Sequence, residues 1–248
     1  MKNYRFFALI IGTEILNHRR VDKHFDFVST TLLKKGQTLW GSLVIKDDPA
    51  LIVETIRLIA MQPDSILLSF GGIGSTPDDH TRKCASIALR DGTLQVHQEA
   101  MQIIKNALKD RISPHSLKMA ELPAGADLIP NPINQMPAFS LDGRFFFMPG
   151  FPQMSHPMTN TIIDTLLPNT QIYYRYTLTA TCRESFLIEI MEQMPNGVEF
   201  SSLPKQLEDG WQVAISVASH DEVLAQKAFE LYINFLEKYN IFYTKDDV

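Results

Sequence analysis

Four stretches of this chain are largely apolar with no regular polar alternation: residues 6–11, Leu39–Ile45, residues 66–70 and Phe145–Met148. Such runs predict strands, and those at 6–11, 66–70 and Phe145–Met148 read as buried on both faces, the kind found in parallel sheets. Between them the period lengthens. Phe25, Val28 and Leu32 fall on one helical face, with Asp22 placed to cap that helix and Gly36 to end it. Asp47-Asp48-Pro49 starts a second helix, with Pro49 near its first turn and Leu51, Ile52, Ile56 and Ile59 on its apolar face. Thr81–Leu89 and Gln98–Leu108 predict two more helices. This β-α-β-α-β-α order predicts an α/β fold with a mostly parallel sheet and helices on both faces.

After residue 108 the pattern loosens. Residues 122–137 hold prolines at 123, 130, 132 and 137 and predict a long surface-hugging connection. Phe145–Met148 follows, ended by Pro149-Gly150-Phe151-Pro152. A second unit begins near Pro168, dividing the chain into domains at 1–167 and 168–248. In it residues 173–180 and 211–218 predict strands and residues 184–191 a short helix. Leu224, Ala228, Leu231 and Phe235 form one face of a last helix. This small α+β lobe has no glycine loop and no concentrated acid–base group, which assigns it to packing or to an oligomer surface.

Composition narrows the partners. The 248 residues are 45% hydrophobic and 21% charged, with a net charge of −5. No basic excess exists to contact a nucleic-acid backbone, so none is expected as a partner. Cys84 and Cys182 are too few for a disulfide framework or a thiolate metal site, which implies a reduced, cytoplasmic setting. No run reaches the ~18 apolar residues of a membrane helix. The apolar start passes straight into Gly12-Thr13-Glu14 rather than a signal-peptide cleavage site.

The densest chemistry is Gly71-Gly72-Ile73-Gly74-Ser75-Thr76-Pro77-Asp78-Asp79-His80-Thr81, between the strand at 66–70 and the helix Thr81–Leu89. Glycines there let the backbone turn sharply and approach a ligand closely. Free N–H groups and a helix N-terminus favour an anion. Two aspartates beside a phosphate call for a divalent cation between them. Equally, acidic residues suit the first turn of any helix, so Asp78 and Asp79 also read as caps. His80 reads as a metal ligand or as a solvent-facing side chain; His18, His24 and His156 each read as a nucleotide contact or, in preference, as a surface or capping residue. Gly12-Thr13-Glu14, Asp47-Asp48 and the glycine loop all fall at carboxyl ends of predicted strands, where open α/β sheets bind ligands.

These blocks resemble the MoaB/Mog-type molybdopterin-binding domain, in the version at the N-terminus of competence/damage-inducible protein A (CinA). The resemblance rests on Gly12-Thr13-Glu14-Ile15-Leu16 with Val21-Asp22, Asp47-Asp48, residues 71–81, Pro149-Gly150-Phe151-Pro152 and Ser202-Leu203-Pro204. It implies a three-layer α/β/α domain followed by a small α+β lobe, assembled into homo-oligomers. It also implies a nucleotide or pterin ligand, and either of two activities. CinA-type domains are associated with metal-dependent cleavage of the pyrophosphate in ADP-ribose and similar nucleotides. Mog-type domains bind molybdopterin and adenylate it with magnesium ATP.

By motif position, the resemblance places functional aspartates at Asp47 and Asp79, and matches Thr13 and Glu14 to its first-strand motif and Gly71, Gly72 and Gly74 to its phosphate loop. Taken with the loop chemistry, Asp79, Asp47 and Glu14 are the candidate catalytic residues, and Gly12, Thr13, Gly71, Gly72, Gly74, Ser75, Thr76, Pro149 and Gly150 the candidate substrate-binding ones. Asp78 and Asp79 would hold Mg2+, Mn2+ or Co2+. The sequence departs from the family at Gln153 and Met154, where a glutamate is usual, and at Asn134-Gln135-Met136-Pro137-Ala138, which replaces Gly-Thr-Ala-Pro-Gly. These departures leave open a non-catalytic nucleotide-binding module.

Overall fold

The computed structural model describes residues 4–245, which divide into two compact units. The first takes residues 4–34 and 38–168; the second takes 35–37 and 169–245.

In chain order the first unit contains β1 (Arg5–Ile11), α1 (Thr13–Leu16), α2 (His24–Lys34), β2 (Leu39–Ile45), α3 (Pro49–Ala60) and β3 (Ser65–Phe70). Then come α4 (Thr81–Leu89), β4 (Gln95–Val96), α5 (Gln98–Leu108), α6 (Pro114–Leu117), β5 (Glu121–Leu122) and β6 (Asp127–Ile129). It closes with β7 (Ala138–Leu141), β8 (Phe145–Met148) and α7 (Pro152–Leu166). The main sheet runs β2-β1-β3-β8-β7-β6, with β2, β1, β3 and β8 parallel and β7 and β6 antiparallel.

The alternation of β1 separates two cores, because successive strand side chains leave opposite faces. Phe7, Leu9 and Ile11 pack with Ile52 and Ile56 of α3, Cys84 of α4 and Ile104 of α5. Phe6, Ala8 and Ile10 pack with Val28 and Leu32 of α2 and Met158 and Ile162 of α7. Both faces are covered, which is why the strand reads as an unbroken apolar run. The expected helix starts are present: Asp22 accepts from the amides of His24 (2.8 Å) and Phe25 (3.1 Å), and Asp48 accepts from Leu51 N at 2.8 Å.

This topology sets where a ligand can sit. The chain leaves β1 for a helix on one face and leaves β3 for a helix on the other. Adjacent β1 and β3 therefore form a switch point, where their carboxyl ends part and open a crevice.

Residues 122–137 correct the expectation of an irregular connection. They hold part of β5 and all of β6, and Asn131 is buried. Segments this short, of two or three residues, fall below any readable period.

The second unit contains β9 (Tyr174–Ala180), α8 (Ile188–Met191), β10 (Glu199–Leu207), β11 (Gly210–Ser219), α9 (Glu222–Lys238) and β12 (Tyr243–Lys245). Its antiparallel sheet runs β10-β11-β9-β12, with Leu178, Val213, Ile215 and Val217 packed on Ala228, Tyr232 and Leu236 of α9. The short helix expected at 184–191 is a 3-10 turn, Glu184–Leu187, running into α8. β10 escapes a pattern reading because it is an edge strand left exposed along nearly its whole length and carries Pro204.

Candidate functional site

A cleft of about 500 Å³ opens at the carboxyl ends of β1, β2, β3 and β8. Glu14, Asp47, Gly71, Gly72, Gly74, Ser75, Thr76, Asp78, Asp79, Pro149 and Gly150 all line it. Gly12 and Thr13 sit behind that lining. Glycine at 12 leaves room for the Glu14 carboxylate, which a Cβ would meet at 2.9 Å. Thr13 holds Asp47: its amide and its hydroxyl donate to Asp47 Oδ2 at 2.8 and 2.9 Å. The Asp47 amide donates back to Thr13 Oγ1 at 3.2 Å, tying the ends of β1 and β2 together.

The glycine loop is shaped by its carbonyls. Gly71 and Gly72 have φ of +109° and +68°, and a Cβ at either would strike Ile11 O or Thr81 Oγ1. Gly71 O accepts from Thr81 Oγ1 and Gly72 O from Thr81 N, both at 2.9 Å. Arg82 Nη1 donates to Ile73 O, and to Gly74 O at 2.6 Å. In a trans peptide the N–H of the next residue points opposite to the C=O. Four successive carbonyls drawn toward α4 therefore turn the amides of Gly72, Ile73, Gly74 and Ser75 the other way, on the side of the cleft these residues line. Among the described residues none of these four amides has a protein acceptor. A row of unspent donors is an anion-binding concavity.

The acidic end of the loop is held as Asp47 is. Thr76 N and Thr76 Oγ1 both donate to Asp79 Oδ2, at 2.8 and 2.6 Å. Fully exposed Asp78 has its carboxyl drawn below the ordinary range, first by the Thr76 hydroxyl and then by its own amide. His80 takes the N-cap position of α4 without a capping bond from its side chain, and it does not line the cleft.

Among the described residues no three His, Cys, Asp or Glu side chains gather as a metal cage. Asp78 and Asp79 beside unspent amides do fit a magnesium-type ion, which takes one or two carboxylates and completes its shell with water and substrate phosphates.

Arg20 and Met119 line the cleft with no sequence motif to announce them, whereas Phe151, Asn134, Met136 and Met154 fall in segments the motifs had marked. Arg20 Nη2 donates to Gly150 O at 2.8 Å, its Nη1 lies 3.7 Å from Glu14 Oε1, and its guanidinium lies 5.4 Å from the centre of the Phe151 ring. Phe151 is 52% exposed at the rim. Met119, Met136 and Met154, from three separate segments, add an apolar wall. Asn134, one of the family departures, bonds to another: its Nδ2 lies 3.6 Å from Met154 Sδ.

His24 corrects the expectation of a surface or capping role. It is 3% exposed, stacked on Phe70 with ring centroids 4.3 Å apart, and its Nε2 lies 3.4 Å from Gly150 O. Burial drives its pKa down to about 4, against a weaker upward pull from Asp22. His156 stacks on Phe27 at 3.7 Å. Apolar neighbours distant in sequence bury the His24 ring and cover part of His156, and no local pattern announces that.

A family model described as "Probable molybdopterin binding domain" matches residues 7–169, and the chain belongs to that family. A CinA-like protein of Geotalea uraniireducens is 33% identical over 163 residues, which are 63% of this chain and 38% of that protein. The chain thus spans well under half the length of that relative. Protein Ta0487 of Thermoplasma acidophilum is 26% identical over 239 residues, 90% of this chain and 91% of its own length. A crystal structure from Thermoplasma acidophilum, of the protein CinA with unknown function, superposes with a TM-score of 0.59 at 26% identity. It covers 66% of this chain and 99% of that one. The mainly parallel α/β fold is shared with that structure.

Proposed function

We propose that the cleft binds the diphosphate of a nucleotide such as ADP-ribose and, with a divalent cation, hydrolyses it. The observation that carries this reading is the row of four amides without a protein acceptor, Gly72 to Ser75, in residues that line the same cleft as Asp47 and Asp79. The amides take phosphate oxygens and steady the charge that develops on them during attack. Asp78 and Asp79 would hold the cation, which when bound would supply charge neutralisation and Lewis-acid polarisation at the diphosphate.

Asp47 offers Oδ1 as base, since Thr13 occupies only Oδ2. It takes a proton from a water whose oxygen bonds to phosphorus, while the bridging P–O bond breaks. ADP-ribose then yields AMP and ribose 5-phosphate. Phe151 and the methionine wall supply flat apolar surface for a base, with Arg20 held over the Phe151 ring.

AMP release from ADP-ribose with magnesium, manganese or cobalt tests the reading, comparing the unmodified chain with Asp79→Ala. Metal-dependent turnover lost in the variant supports hydrolysis. Absence of turnover, with ADP-ribose still bound, overturns it. The family match favours a second reading, molybdopterin binding with adenylyl transfer. That reading requires ATP consumption that appears only when molybdopterin is added.

A further inference from the structure

Arg82 is the one feature of the loop that neither the sequence motif nor the proposed chemistry uses. It is 8% exposed in the first turn of α4, yet among the described residues its side chain bonds only to the carbonyls of Ile73 and Gly74. Its Nε is buried with no partner at all, and it makes no ion pair within 4 Å. Burying a guanidinium without a paired carboxylate is costly. Asp79 and Glu121 lie near enough to oppose the effect of burial on its charge, without outweighing it. The compensation that folding omits is available from the other side of the loop. Each carbonyl that Arg82 holds belongs to the same peptide group as an amide turned to the cleft, that of Gly74 or Ser75. Hydrogen bonds in such a chain polarise one another in a low-dielectric setting.

We infer that Arg82 is the positioning residue of the anion site: it fixes the Gly74 and Ser75 amides toward the cleft and strengthens them as donors to a bound diphosphate. This inference rests on the proposed function and adds to it a buried charge that never touches the ligand. It also accounts for the neighbouring acidic pair. With Arg82 behind the loop, a diphosphate meets a site in which the charges of Asp78 and Asp79 are not the only ones acting on it.

Inorganic pyrophosphate with magnesium is the probe, titrated by calorimetry and by the amide 15N–1H resonances of Gly72 to Ser75. The unmodified chain should bind it with shifts at Gly74 and Ser75. Arg82→Met should weaken binding by about tenfold or more, and Arg82→Lys, which keeps the charge but loses the fork, should recover part of the loss. Pyrophosphate affinity and Gly74 and Ser75 shifts in Arg82→Met equal to those of the unmodified chain would overturn the inference while leaving the anion site standing. No pyrophosphate binding by the unmodified chain would remove the anion site and this inference with it. If Arg82→Met does not fold, the Nε–Hε resonance of Arg82 in the unmodified chain decides: movement that tracks pyrophosphate occupancy supports the inference, and a resonance unmoved at saturation overturns it.

Discussion

The cleft is built twice over from one device. On one side Thr13 donates its amide and hydroxyl to Asp47 Oδ2; on the other Thr76 does the same to Asp79 Oδ2. The chemistry is equal and the span is not. Thr76 and Asp79 are three residues apart on an exposed loop, whereas Thr13 and Asp47 are separated by 34 positions and join the ends of two strands. The local clamp orients a carboxylate and little else. The long-range clamp also fixes how β1 and β2 end relative to each other, so its loss should reach beyond the site.

The largest expected effect treats both carboxylates alike. Asp79→Ala and Asp47→Ala should each lower AMP release from ADP-ribose by about a thousandfold, the scale of a lost acid–base or charge-holding group. Steady-state assays checking both variants would break the symmetry if only one of them fell.

The next effect belongs to the buried wall alone. His24 keeps its proton off until about pH 4 in the folded chain, against 6.5 when unfolded. Between those values the unfolded state binds more protons, so stability is full above about pH 6.5 and falls on acidification toward pH 4. From pH 7 to 4.5 the loss should be about 2 kcal/mol, and His24→Phe, which keeps an aromatic ring on Phe70, should abolish that part. Urea unfolding across this range measures it. Asp78, fully exposed on the loop side, should contribute no comparable slope.

Of similar size is the cost of crowding the switch point. Gly71→Ala forces a side chain onto the Ile11 carbonyl from a positive φ, and should destabilise the chain by about 2 kcal/mol in urea unfolding. Thr13→Val should cost about 1 kcal/mol, since it removes a hydroxyl that both donates and accepts. Thr76→Val, at an exposed site, should cost only a few tenths of a kcal/mol. Equal losses for the two threonine variants would show that the two clamps do not differ as their spans suggest.

The same contrast explains what could be read in advance. Thr81–Leu89, Gln98–Leu108, Leu39–Ile45 and Phe145–Met148 begin and end where the pattern puts them, because an apolar run or one helical stripe is a local signal. Glycines before an aspartate pair announced the loop for a similar reason: positive φ leaves a mark in composition. Arg82 left none, since an arginine early in a helix looks like any solvated cation. Asking where the carbonyls of Ile73 and Gly74 find donors is the question that leads to it. The Thr13–Asp47 bond, the burial of His24 and the meeting of three methionines all depend on chain segments brought together only by the sheet.

Asn134 and Met154, where this chain leaves its family's pattern, lie on different segments and touch across the cleft mouth. Groups in contact are coupled, so the effects of changing each toward the family residue should not add; urea unfolding of the two single variants and of the double variant measures that coupling.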